Sequence, residues 1–270
     1  MTSNMTSSIT LPKARAPQKP WLLAGVSAVV FAFLYLPIVV VILLSFNASS
    51  VLSLPITGFT FDWYRQVLHD DGLITGLLNS LKVATFATIL ASSFALLCSF
   101  ALHRYRFFGR SSFRVAVGLP LLLPGVVTGV AMLAAFTQAG VEISLVTVIL
   151  GHAVFGIPVA MGAMLTRLSR MPANLEEAGY DLGATPSQVF ARVVWPYVRS
   201  SVISGALLAF TLSFDEVVVT IFLTGRDNTL PMEIWSRLRT QITPEIAAAA
   251  TLVLLLSSGL VLLNSRLNKD

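Results

Sequence analysis

Val39-Val40-Val41-Ile42-Leu43-Leu44 closes an apolar run that begins at Trp21, and its reading decides the fold. Consecutive Val, Ile and Leu leave no polar/apolar alternation, so the run does not suit a barrel strand. Its length matches the roughly 20 apolar residues that a helix needs to cross a bilayer. Helices and closed barrels are the two spanning structures that satisfy every backbone polar group in lipid. The run therefore reads as a transmembrane helix, and the chain as an all-α integral membrane protein.

Five more runs follow, near Leu77–Leu102, Phe113–Thr137, Ser144–Leu165, Val198–Thr224 and Ile246–Leu263. About six spans result. The chain is 55% hydrophobic and 11% charged, against roughly 25% charged for soluble domains. The first run exceeds a signal-peptide core and lacks a clear small-residue cleavage site, so it is expected to stay as an anchor. Residues 1–20 are polar, with Pro12, Pro17 and Pro20, and are expected to be a disordered tail. Residues 21–270 form the membrane domain. Cys98 is the single cysteine, which excludes an intramolecular disulfide and a cysteine metal cluster. No Gly-rich phosphate loop appears, so the chain does not hydrolyse ATP by that route.

Lysine and arginine fix the orientation. Thirteen of the 18 fall on one side: Lys13, Arg15 and Lys19; Arg104, Arg106, Arg110 and Arg114; Arg167, Arg170, Arg192 and Arg199; Arg266 and Lys269. Arg65, Arg226, Arg237 and Arg239 fall on the other, and Lys82 lies near the outer end of the second run. Both termini are thus expected to be cytoplasmic. The asymmetry accounts for the basic pI of about 9.7, so nucleic acid is not an expected partner.

On the cytoplasmic side, residues 172–196 interrupt the apolar pattern. Asn174 suits the cap of a helix from Leu175, with Glu176 and Glu177 in the first turn, where the dipole favours anions. Gly183 ends or bends it. Thr185 and Pro186 suit the start of a second helix carrying Val189, Phe190, Val193 and Val194. Pro196 marks entry into the next span. The small pair Ala178-Gly179 favours close backbone approach by a docking partner over simple anchoring in the membrane interface.

Glu177-Ala178-Gly179, then Gly183 after three residues, then Val193-Val194-Trp195-Pro196 after nine, resembles the EAA loop of ABC-importer permeases. Gly179, Val193 and Trp195 depart from the family's Ala, Ile and Leu, while the spacing is intact. The resemblance implies that the helix before the glycine docks on an ATPase subunit and couples its closure to the spans. Glu177, Ala178 and Gly183 would form that element, together with Glu176, Gly179, Asp181 and Pro196. Implied partners are a homodimeric ABC ATPase holding ATP and magnesium, a second homologous permease, and a periplasmic or lipid-anchored solute-binding protein. The implied setting is a bacterial inner membrane.

Several polar groups lie inside the runs. Asp215-Glu216 sits deep in the fifth, as a polar element of a translocation path for cations or as a structural hydrogen-bond anchor. Pro120 and Pro124 in the third run read as a pore hinge or, preferably, as a packing kink. Asn79-Ser80 suit helix capping more than solute contact. His152 reads as an interface histidine with its hydrogen bonds satisfied. Leu230-Pro231-Met232-Glu233-Ile234-Trp235-Ser236 and the Asp215-Glu216 pair resemble the spermidine/putrescine branch of the family. A polyamine is the implied solute, with an opine, thiamine or another small solute left open. The rivals from other classes are an ion-coupled secondary carrier and a non-transporting scaffold. Aromatics at Phe59, Phe61, Trp63 and Tyr64 pack a short outer helix or form a platform for the binding protein.

Overall fold

A computed structural model describes residues 20–51, 55–172, 174–240 and 243–267. The tail at 1–20 lies outside them except for Pro20. The chain falls into two units with the boundary between Leu43 and Leu44. The first holds all but the last residue of α1, Pro20–Leu44, a 25-residue helix with Pro37 inside it. Phe31 and Tyr35, one turn apart, stack with ring centres 6.3 Å apart.

The second unit opens with a short irregular segment. Phe46 and Thr60, and Ala48 and Gly58, pair through their backbones. The six-residue α2, Asp62–Val67, follows. Its aromatics pack inward: the Trp63 indole N–H donates to the Asn47 carbonyl at 2.7 Å, and the Tyr64 and Ser45 hydroxyls bond at 2.6 Å. Then α3, Asp71–Arg104, starts under a cap in which Asp70 accepts from the Leu73 N–H at 2.8 Å.

The third run departs from expectation. It is two helices, α4 (Arg110–Leu122) and α5 (Gly125–Gln138), bent by 107°. Pro124 has no N–H to continue the α4 ladder, and its ring pushes Leu123 into extended backbone, φ −84 and ψ 143. At 13 and 14 residues, neither helix alone spans the roughly 30 Å core.

Next come α6 (Leu145–Ser169), α7 (Asn174–Asp181) and the single-turn α8 (Pro186–Val189). A π-helical turn at Phe190–Val194 leads into α9, Trp195–Asp215. Pro196 stands in the first turn of α9, where the next span was expected to begin, and α8, the π turn and α9 form one helical path of 30 residues. The π turn passes the Trp195 N–H to the Phe190 carbonyl, so the ladder has already shifted by one where proline lacks a donor.

The fifth run also ends early. Helix α9 stops at Asp215, Glu216 is extended, and α10 restarts at Val218–Leu223. Asp215 and Glu216 therefore stand at a helix break rather than inside a continuous span. The chain closes with α11 (Leu230–Leu238) and α12 (Pro244–Leu267). Among the described residues five helices are long and apolar enough to cross a membrane, or six if the bent pair counts as one.

The core is a three-helix contact among α3, α6 and α9, built on small residues. Ala84, Ala91 and Ala95 of α3 are fully buried. A Cβ added at Gly156 would lie 2.8 Å from the Ala91 methyl, and one at Gly205 would lie 3.1 Å from the Ala160 backbone. Where lipid supplies no hydrophobic push between helices, such close backbone approach is what holds them. Cys98 is half-buried at the edge of this core.

Candidate functional site

Helix α7 stands at the end of the bundle where α3 and α6 finish and α9 begins. It starts at Asn174 itself, one residue before the expected position, with Glu176 and Glu177 in its first turn. It ends in a paired closure: the Gly183 N–H donates to the Tyr180 carbonyl at 2.8 Å and the Ala184 N–H to the Gly179 carbonyl at 3.1 Å. Gly183 has φ +80, a backbone that a Cβ disfavours. Thr185 then caps α8, exchanging bonds with Gln188 through side chain and backbone.

The expected coupling residues divide between two faces. Glu176 turns inward and forms an ion pair with Arg104, the last residue of α3. Arg104 also donates to the Tyr180 hydroxyl at 2.8 Å, so one guanidinium holds α7 at two points a turn apart. Gly179 faces Val189, whose Cγ2 would lie 3.1 Å from an added Cβ. The close approach expected of Ala178-Gly179 toward a partner is thus, at Gly179, an approach to the chain's own next helix. Glu177, Ala178, Asp181 and Leu182 are exposed, and Leu182 is 88% exposed. Pro196 is exposed too.

Behind α7 the base is firm. Val189 and Val194 are buried with Leu168, Met171 and Val198. Phe190 meets Phe100 edge to face at 5.3 Å. Arg167 donates to the Tyr197 carbonyl at 3.1 Å and lies 4.5 Å over its ring, and Tyr197 donates to the Arg170 carbonyl at 3.1 Å. Sequence reasoning used Arg104 and Arg167 only as topology charges. Their partners lie 72 and 30 residues away, beyond any local signal.

The polar groups nearer the other end separate as well. His152 is buried and fully bonded, Nδ1 to Ser213 Oγ at 2.8 Å and Nε2 to Thr220 Oγ1 at 2.9 Å. Asp215 accepts from Ser257 of α12 at 2.9 Å and borders an open groove with Pro231, Ile234 and Ser258. Glu216 accepts from the Val219 N–H at 3.0 Å and so caps α10. Pro124 forms the exposed corner between α4 and α5.

Asn79 does not cap the helix it was expected to open. It lies eight residues into α3, 5% exposed, and donates to the Asn228 carbonyl at 3.0 Å. Ser80 beside it accepts from the Leu230 N–H at 2.9 Å. Together they pin the start of α11.

One cluster has no counterpart in the sequence reading. Arg237 of α11 bonds Asp70 through both terminal nitrogens at 2.7 and 2.9 Å. It also reaches Glu233 at 3.0 Å and Glu245 at 3.5 Å. Its hydrogen bond to Asp70 raises the guanidinium pKa above its ordinary value, and the same bond holds the Asp70 carboxyl below its own. The four-residue spacing from Glu233 to Arg237 is the only local trace of it. Among the described residues no group of His, Cys, Asp and Glu is placed to hold a metal.

The family described as binding-protein-dependent transport system inner membrane component matches residues 89–269. The spermidine/putrescine transport system permease protein PotC of Haemophilus influenzae is 34% identical over 242 residues, 89% of this chain and 94% of the relative. The putrescine transport system permease protein PotI of Escherichia coli K12 is 35% identical over 253 residues, 90% and 88% of the two chains. A crystal structure of a bacterial alginate ABC transporter, in complex with an alginate pentasaccharide-bound periplasmic protein, superposes with a TM-score of 0.69. That match covers 91% of this chain and 93% of the other at 15% identity, and shows the fold.

Proposed function

The chain belongs to the family of binding-protein-dependent transport system inner membrane components and is the permease subunit of an ABC importer, a protein without bond chemistry of its own; we propose that its solute is a polyamine and that α7 is its ATPase-docking helix. The observation that carries the docking assignment is the division of α7 into two faces. Its inner face is latched by Arg104 and packed on Val189, while Glu177, Ala178, Asp181 and Leu182 stay exposed. A helix held that way transmits a push to α9 without unfolding.

The powering parts are other chains: an ATPase homodimer holding ATP and magnesium, a second homologous permease, and a solute-binding protein. Both termini and α7 lie in the cytoplasm in this reading, in line with the Lys and Arg distribution. Closure of the ATPase dimer draws the two docking helices together and switches the spans between inward-facing and outward-facing states.

Support for a cationic solute comes from the relatives' names and from Asp215, whose carboxylate borders an open groove. The test is uptake of radiolabelled spermidine and putrescine into vesicles holding the complete complex, with and without ATP. Uptake driven by an ion gradient without the ATPase would overturn the coupling. Asp215→Asn is expected to lower spermidine uptake severalfold, and unchanged uptake would remove Asp215 from the path.

A further inference from the structure

Two helix breaks meet at an exposed face of the bundle. At one, α4 stops and α5 begins at Leu123-Pro124; at the other, α9 stops and α10 begins at Glu216-Val217. They touch: a Cβ on Gly125 would lie 3.2 Å from Val218 Cγ1. Val219 in turn packs on Gly151, and Thr220 bonds His152. That level is about 11 Å along α6 from its start, within membrane depth.

The α4–α5 corner leaves backbone groups open. The Leu119 carbonyl accepts from Leu123, and the Pro124 carbonyl accepts from Val127 and Thr128. The carbonyls of Pro120, Leu121, Leu122 and Leu123 accept nothing among the described residues, and the N–H groups of Gly125 and Val126 donate to nothing. The side chains around them are exposed, Leu122 by 76%. Irregular backbone at membrane depth is tolerated where it is buried in protein or lines a water-filled cavity, and not against lipid. Discontinuous helices meeting at depth are a recurring way to build a solute site, their carbonyl ends facing cations.

Charge agrees. Between Arg114 and Arg167, and between Arg199 and Arg226, there is no Lys or Arg, and the second break adds Asp215, bonded to Ser257, and Glu216, which caps α10. We infer that the α4–α5 corner is a cation subsite of the transport path, in which the carbonyls of Pro120, Leu121, Leu122 and Leu123 replace water around an ammonium group. The subsite rests on the polyamine reading for its physiological ligand, though not for its chemistry.

The test uses the complete complex with Cys98→Ser and either Leu122→Cys or Leu97→Cys. Leu97 is also well exposed, at 67%, but lies on the unbroken α3. A quaternary-ammonium methanethiosulfonate is expected to modify Leu122→Cys and leave Leu97→Cys unmodified, and saturating spermidine is expected to slow the reaction about fivefold or more. No reaction at Leu122→Cys overturns the inference. Reaction without protection, in a complex whose unmodified form imports spermidine, also overturns it. If the unmodified form imports no polyamine, the polyamine reading fails. The corner is then judged by reagent charge: faster reaction with the cationic than with the anionic reagent upholds it, and the reverse order refutes it. A cysteine-free check is Pro124→Ala, which restores a donor for the Pro120 carbonyl. It is expected to raise KM for spermidine about tenfold with kcat little changed.

Discussion

The two ends of the bundle are each held by one arginine, and the arginines do different jobs. Arg104 has one carboxylate and one phenol, Glu176 and Tyr180, both on a single short helix whose far face is exposed. Arg237 sits among three carboxylates from three different places, Asp70 before α3, Glu233 on its own helix and Glu245 at the start of α12. The first arrangement ties one short element to the end of α3. The second ties α3, α11 and α12 into a knot. Rigidity at one end and a hinged attachment at the other is what a device needs if force enters at α7 and the other end is to stay closed around its loops.

The strongest way to break this contrast is Gly183→Val. A β-branched residue at φ +80 is strained by roughly 1–2 kcal/mol, and relief comes by reshaping the end of α7. ATP-driven uptake into vesicles with the full complex is expected to fall by at least tenfold while membrane insertion is kept. Uptake at the unsubstituted rate would show that α7 does not carry the push.

Glu177→Lys tests the exposed face alone, because Glu177 makes no bond that holds α7 in place. Its expected result is loss of ATPase co-purification with the spans intact, and an undisturbed complex would move docking elsewhere. Arg104→Ala is expected to act more mildly. It frees the inner face of α7 and should lower solute moved per ATP severalfold without releasing the ATPase. A coupling ratio equal to that of the unsubstituted chain would reduce Arg104 to a surface charge.

Arg237→Ala should leave coupling intact and lower thermal stability by about 1–2 kcal/mol, as expected for a half-exposed charged network. The effect has a pH signature. Asp70 is held below its ordinary value in the fold, so its contribution is present above the unfolded carboxylate pKa, near 3.9, and is lost as pH falls through the lower folded value. Melting curves of the substituted and unsubstituted chains should differ at neutral pH and converge below about pH 4. A constant difference across that window would mean that packing, not the ion pair with Asp70, sets the loss.

How much of this the sequence carried depends on range. The spans were legible because burying apolar side chains in lipid needs length and composition, both local. The Gly183 turn and the Thr185 cap were legible for the same reason, since a positive φ and a capped N-terminus are written in adjacent residues. The breaks were half legible. Pro124 announces a lost donor, but the 107° angle is set by where α5 finds Val218. Asp215-Glu216 looked mid-span because Val217-Val218-Val219 continues the apolar run. The chain stops α9 there and spends Glu216 as a cap. Asn79 misled for a simpler reason, since its partner at Asn228 is 149 residues away.

The π turn at Phe190–Val194 has a consequence for chain length. One extra residue per turn advances side-chain azimuth by about 100° relative to an unbroken α-helix. The α7–α8 unit is therefore clocked around the α9 axis by that inserted residue. Deleting one residue between Phe190 and Val194 would straighten the ladder and turn α7 away from Arg104, breaking the ion pair with Glu176 and the bond to Tyr180. If α7 is the docking helix, the π turn is a phase shifter between it and α9.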